Sequence, residues 1–234
     1  MTVLVMAGVI GSGKSSLTQI VADRLGTQPF YESVDNNPVL PLFYKGNKIA
    51  EEKRAAGEKD ARNPYAFLLQ IYFLNTRFHS IKAALTDDNN VLDRSIYEDA
   101  IFMKMNTDNG NATEEEYLIY KDLLNNMMEE LKGLPKKAPD LLIDIHVDYQ
   151  TMVNRITKRG RPYEQLSTDP SLTEYYKTLI DYYDTWYSHY DKSPKMQIDG
   201  DRYDFVTNIA DRTAVLEQIL TKLQDVRGDF HATA

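Results

Sequence analysis

The chain has 234 residues, 42% of them hydrophobic and 26% charged, enough for one sizeable core in one domain or at most two small ones. Lys plus Arg is 27 against 35 Asp plus Glu, a net charge of −8, which speaks against a nucleic-acid partner held through its phosphates. With no cysteine, disulfides, iron–sulfur clusters, thiolate zinc sites and a Cys nucleophile are excluded. The four histidines, His79, His146, His189 and His231, form no ligand pair at helical spacing, and no zinc is expected. Residues 1–10 are apolar but lack the basic start and the cleavage site of a secretory leader. No apolar run approaches the roughly 20 residues of a membrane helix, so a cytoplasmic protein without a membrane partner is expected.

In chain order, residues 2–7 read as a short strand, followed by a glycine turn and a helix over 15–25. Residues 29–32 read as a second strand and 65–85 as a strongly apolar helix. A strand at 90–93, a helix at 96–105, a strand at 140–145 and a last strand at 195–198 follow, with a closing helix over 204–226. Strands separated by helices imply an α/β fold with a parallel sheet covered on both faces, whose buried strands read as unalternating apolar runs. Three segments interrupt the pattern. Residues 45–63 are charged and predict an exposed excursion. Residues 107–112 read as a loop, after which Thr113 and Glu116 form a capping-box pattern. Residues 159–170 mix Gly, Pro and charge, and Ser171 with Glu174 is a candidate cap for the next helix.

Residues Gly8-Val9-Ile10-Gly11-Ser12-Gly13-Lys14-Ser15 match G-x-x-x-x-G-K-[ST], with an apolar strand before and a helix after. Glycines let backbone N–H groups turn inward around an anion, and the helix N-terminus adds a positive dipole end. Lys14 is then placed for β- and γ-phosphates and Ser15 for Mg²⁺. Such a loop implies a nucleotide, not a reaction. Asp93 and Asp144 each close a strand where a Mg²⁺-assisting carboxylate belongs, and each is equally a helix N-cap candidate. Glu32 ends the second strand, either pointing to the same crevice or as a solvated strand end. Arg155, Lys158, Arg159 and Arg161 cluster at a helix end, as a favourable C-terminus or as a lid over a transferring phosphoryl group. The aromatic repeat at Tyr175, Leu179, Tyr182, Tyr183, Trp186, Tyr187 and Tyr190 reads as core packing. Residues 67–74 are apolar almost all round a helix, implying a subunit interface on the face away from the sheet. Gln70 alone breaks that run, as a paired core amide or a base-reading group.

The phosphate loop, Tyr31-Glu32-Ser33-Val34, Leu42-Phe43-Tyr44, Phe67-Leu68-Leu69-Gln70, Asp93-Arg94-Ser95-Ile96-Tyr97, the arginine cluster and Tyr203-Asp204-Phe205 occur in the order found in deoxyribonucleoside kinases. Over nearly its whole length the chain resembles that family, and most of all its bacterial deoxyadenosine/deoxyguanosine kinases. The resemblance implies a single P-loop kinase domain over 1–234, with a five-stranded parallel sheet flanked by helices and an arginine lid at about 155–170. It implies ATP, Mg²⁺ and a deoxynucleoside as ligands, and a homodimer or a heterodimer with a paralogue. The ATP side is implied to comprise Gly8, Gly11, Ser12, Gly13, Lys14, Ser15 and Ser16, with Arg155 and Arg159 from the lid and Tyr203, Asp204 and Phe205 around adenine. Glu32 is implied as the base for the 5′-hydroxyl, steadied by Arg94, with Arg159 and Arg161 stabilising the transfer. Tyr44 and Glu164 are implied at the 3′-hydroxyl, and Gln70 at the base edge. Asp93 is implied as the partner of Ser15 at Mg²⁺; the family usually has Glu there, so contact through a water is expected. Arg77, two helical turns past Gln70, and Asp99, one turn past Ser95, resemble the pair in purine-preferring members, with a plain interhelical salt bridge as the alternative. The rival functions are a nucleoside monophosphate kinase or other small-molecule P-loop kinase, and a GTP-binding switch. The switch lacks its Asn-Lys-x-Asp run: Asp199-Gly200-Asp201-Arg202 follows the late strand.

Overall fold

The computed structural model describes residues 3–34, 37–130 and 138–232. Five strands, β1 (Val3–Ala7), β2 (Pro29–Phe30), β3 (Asn90–Asp93), β4 (Leu141–His146) and β5 (Lys195–Asp199), form one sheet in the order β2-β3-β1-β4-β5, with every pair parallel. Among the described residues, eight α-helices connect and cover them: α1 (Lys14–Leu25), α2 (Leu40–Ala55), α3 (Ala66–Ala84), α4 (Ile96–Asp108), α5 (Glu114–Glu130), α6 (Tyr149–Arg159), α7 (Leu172–His189) and α8 (Ile209–Ala232). β1 is central and buried on both faces. Leu4 and Met6 pack with Leu17 and Val21 of α1 and Val215 and Ile219 of α8, whereas Val3 and Val5 pack with Ala84 of α3 and Leu92.

The predicted elements are present, with differences at their ends. β2 stops at Phe30, so Glu32 lies just beyond the strand. α8 starts at Ile209 instead of 204, because the Asn208 side chain accepts the N–H groups of Ala210 and Asp211. Thr113 and Glu116 do form a reciprocal capping box. Ser171 does not cap α7; its hydroxyl donates to Asp169 and Glu174 pairs with Lys177. The 45–63 excursion is half helix, continuing α2, and it is anchored. The Asn63 side chain donates to the Phe43 carbonyl and accepts from Tyr65 N–H, while Arg54 donates to the carbonyls of Ala61 and Gly110. Asn63 therefore ties α2 to the start of α3.

Candidate active site

The register sets the chemistry. Met6 lies opposite Asp93 and Ala7 opposite Asp144, so both acids flank the end of β1, where the phosphate loop begins. Gly8 has φ +135°, and a Cβ there would lie 2.6 Å from the Ile145 carbonyl oxygen. Gly13, at φ +104°, caps α1, and a Cβ on it would meet the Phe205 ring at 3.0 Å. Only glycine permits this backbone. Lys14 is buried and folds onto its own loop, donating to the Gly8 and Val9 carbonyls at 2.8 Å each. Burial, then the charge of Arg94, lower the pKa of its ammonium.

Ser15 Oγ donates to Asp93 Oδ2 at 2.5 Å, and Asp93 Oδ1 is buried with no hydrogen-bond partner among the described residues. Asp144 instead accepts from Gln197 at 2.9 Å, and burial raises its pKa. Geometry thus separates two acids that their strand-end positions left equivalent.

A cavity of about 750 Å³ opens beside the loop. Gly11, Gly13, Lys14, Ser15 and Ser16 line the end next to the loop. Glu32, Tyr44, Gln70, Arg94 and Asp99 line the other, and Arg155, Arg159, Arg161 and Glu164 border it from α6 and the turn after it. Asp204 and Phe205 reach the cavity, but Tyr203 does not line it, and Gly8, Ser12 and Arg77 stand behind its wall. Phe205 is 1% exposed and belongs to the core beneath the loop, so it roots this segment against Gly13. Val206 and Thr207, absent from the sequence reading, also line the cavity.

Glu32 lies between two guanidinium groups. Arg77 Nη2 donates to its Oε1 at 2.9 Å, and Arg94 Nε lies 3.0 Å from the same oxygen, an ion pair without hydrogen-bond alignment. Burial pushes the carboxyl up, but Arg94 and Arg77 outweigh it and hold Glu32 at about 2. Arg77 also donates to Asp99 (Nε–Oδ2 3.1 Å, Nη2–Oδ1 3.2 Å) and to the Asp93 carbonyl at 2.8 Å. The Arg77–Asp99 pair is therefore wired to the carboxylate beside it. Arg94 has a left-handed backbone, φ +78°, rare for a side chain of this size, and its guanidinium lies 5.0 Å from the Phe102 ring centre.

Tyr44 is buried with its ring 5.1 Å from that of Tyr163, and burial raises its hydroxyl pKa well above the usual value, so it stays a neutral donor. Gln70 is 3% exposed and makes no side-chain hydrogen bond among the described residues. Glu164 accepts from Arg159 at 2.6 Å and lies 3.7 Å from Arg161. Arg155 donates to the Ser12 carbonyl at 2.6 Å and to the Gly200 carbonyl at 2.7 Å, tying the phosphate loop to the segment after β5.

Glu98 is the residue that sequence reasoning missed. It is fully buried, and it touches the loop and Arg94. Its signal was Ser95-x-x-Glu98, a capping-box spacing, and that box is formed. The aromatic repeat on α7 is also more than packing. Tyr183 donates to Glu98 at 3.0 Å and receives a hydrogen bond from Arg94, and Tyr175 lines the cavity.

The deoxynucleoside kinase family profile matches residues 4–224. The chain belongs to this family. Its enzyme chemistry is therefore phosphotransfer to deoxynucleosides. It is 62% identical to a deoxyguanosine kinase of Lactobacillus acidophilus over 97% of this chain and 92% of the relative. It is 53% identical to a deoxyadenosine kinase of the same organism, over 96% and 97%. Among solved structures, a deoxyadenosine kinase from M. mycoides with dCMP and dCDP bound aligns with a TM-score of 0.72 at 28% identity, over 96% of this kinase and all of that chain. The same M. mycoides enzyme with dATP bound gives 0.70 at 30% identity over 95% of this kinase and all of that chain. Among the described residues, no helix is long and apolar enough to cross a membrane.

Proposed function

We propose that this kinase transfers the γ-phosphoryl group of ATP to the 5′-hydroxyl of a purine deoxynucleoside, deoxyguanosine before deoxyadenosine. The observation that carries this reading is Glu32: an ionised carboxylate at the cavity wall, between two arginines and across from the phosphate loop. An acid at the acceptor position repels a monophosphate, so a nucleoside suits the cavity better than a nucleotide. A carboxylate held near 2 is a weak base. That suits phosphoryl transfer, whose loose transition state asks for an oriented hydroxyl and late acceptance of its proton. In this reading Glu32 accepts the 5′ proton and Arg94 fixes the carboxylate. Lys14 leaves the Gly8 and Val9 carbonyls to engage phosphate oxygens. Arg159 and Arg161, with Arg155 behind them, form the lid over about 155–170, and the segment from Tyr203 to Phe205 borders adenine.

Tyr44 and Glu164 take the 3′-hydroxyl. Gln70, buried and unpaired among the described residues, reads the base edge, and the Arg77–Asp99 pair frames the space for a two-ring base. Ser15 and the partnerless Asp93 oxygen form an all-oxygen donor set that fits Mg²⁺. When bound, Mg²⁺ supplies neutralisation of phosphate charge. A second copy of the chain is taken to cover the exposed Leu68 of α3 and Leu118 and Ile119 of α5, which sedimentation would reveal as a dimer.

The test is a panel of the four deoxynucleosides and dGMP with ATP and Mg²⁺, following the phosphorylated product. Purine deoxynucleosides should turn over first. Preference for thymidine overturns the base assignment, and preference for dGMP overturns the acceptor.

A further inference from the structure

Glu98 has no part in the reaction as proposed, yet it is the most completely buried acid at the site, at 0% exposure. Its carboxylate collects four donors. Oε2 accepts from Ser95 N–H at 2.6 Å. Oε1 accepts from Gly8 N–H at 3.2 Å, from the Tyr183 hydroxyl at 3.0 Å and from Arg94 Nη1 at 3.3 Å. The Ser95 bond completes the α4 capping box, and a helix start needs nothing more from this side chain. The other three bonds come from the phosphate loop, from α7 and from the residue beside Glu32.

These bonds leave Arg94 little freedom. Nη1 faces Glu98 and Tyr183, Nε faces Glu32, and the guanidinium lies over Phe102. A carboxylate removed from water is costly, and burial raises the pKa of this one, with Arg94 and then Lys14 opposing. One Glu98 oxygen therefore serves both the first turn of the phosphate loop and the arginine that orients the base.

We infer that Glu98, backed by Tyr183, is a positioning residue that fixes the phosphate loop and the Glu32–Arg94 pair in one frame, so that donor phosphate and acceptor hydroxyl meet in line. This inference rests on the kinase reading above. Transfer is sensitive to displacements of well under an ångström in such a frame, whereas ground-state binding of either substrate is not. The loss should therefore fall on kcat.

Steady-state kinetics of Glu98→Gln, Tyr183→Phe and the double variant, measured with purified full-length chain well below each unfolding temperature, test this. Glu98→Gln should lower kcat at least about tenfold and Tyr183→Phe at least about threefold, with KM for ATP and for deoxyguanosine within about twofold of wild type. The kcat of the double variant should be no lower than about half the Glu98→Gln value, because the two act as a unit. A Glu98→Gln protein with a lower Tm but wild-type kcat is a lost helix cap only, and overturns the inference. Should Glu98→Gln not fold, Tyr183→Phe keeps its ring and its packing, and wild-type kcat there overturns it equally. A wild-type chain that shows no deoxynucleoside-dependent ADP release overturns the kinase reading itself, and this inference with it.

Discussion

At the loop end of the cavity the frame is backbone: glycines at φ +135°, +79° and +104°, and a helix N-terminus. At the other end it is side chain: Glu32, Arg94 and Asp99 at the wall, joined through Arg77 and Glu98 behind it in one chain of ion pairs. The first end tolerates no added atom, because the Ile145 carbonyl already stands where a Gly8 side chain would go. The second is sensitive to a removed charge, because each buried arginine there is balanced by two acids and would keep only one. Steric fit and charge balance are thus divided between the two ends of the cavity.

The largest effect is expected from Glu32→Gln, which keeps the shape and removes the charge. Turnover should fall by at least about 100-fold with both substrates still bound, a usual scale for loss of a general base; near-normal turnover would take Glu32 out of that role. The same variant has a pH signature. Glu32 is held at about 2 against an ordinary value of 4.5, so its stabilisation is fully present above the ordinary value and is lost as pH falls through about 2. Wild type should exceed Glu32→Gln by roughly 3 kcal/mol at neutral pH, with the difference closing in acid. Urea titrations at stepped pH measure it.

Gly8→Ala probes the other end. A methyl at positive φ, pressed on a backbone oxygen, should cost roughly 3 kcal/mol of stability. A thermal scan showing an unchanged Tm would mean that the loop is softer than its geometry implies. Asp99→Asn should be milder. It keeps Arg77 on Glu32 and removes one charge of the pair proposed to frame a purine, so deoxyguanosine turnover should drop several-fold relative to deoxycytidine. This is a cleaner probe than replacing Arg77, which also holds the base. An unchanged ranking would make the pair a plain interhelical bridge. The smallest effect is expected from Asp144→Asn, whose native partner is Gln197. Turnover should stay within about threefold of wild type, whereas Asp93→Asn should lose far more. Equal losses would erase the distinction drawn from the register.

Much of this was legible in the residues, and for separable reasons. The phosphate loop is a local object, so eight consecutive residues announce it, and the strands beside it are continuous apolar runs. Asp93 and Asp144 carry the same local signal; the family resemblance points to Asp93, and the placement of α1, and with it Ser15, is the physical difference between them. Ser171 failed as a cap because Asp169, two residues earlier, took its hydroxyl. The 45–63 stretch read as exposed because its anchors, Asn63 and Arg54, are polar and bind backbone carbonyls instead of apolar neighbours. Glu98 and Tyr183 were hidden for a third reason. They lie 85 positions apart and meet only when α7 packs on α4, and each has a sufficient local explanation, a cap for one and an aromatic stripe for the other.

The left-handed backbone of Arg94 bears on how this site ages under mutation. For folding alone, glycine or asparagine suits φ +78° better, and relief of that strain is worth about 1–3 kcal/mol. Removing the guanidinium, however, takes from Glu98 its ion-pair partner and leaves Glu32 with Arg77 alone, and breaking a buried pair costs about 3–5 kcal/mol. The arginine is thus held in place by the fold as well as by the reaction. A descendant that had lost its deoxynucleoside and its turnover would still be selected to keep this residue, so the persistence of Arg94 in a lineage is no proof that the lineage still phosphorylates anything.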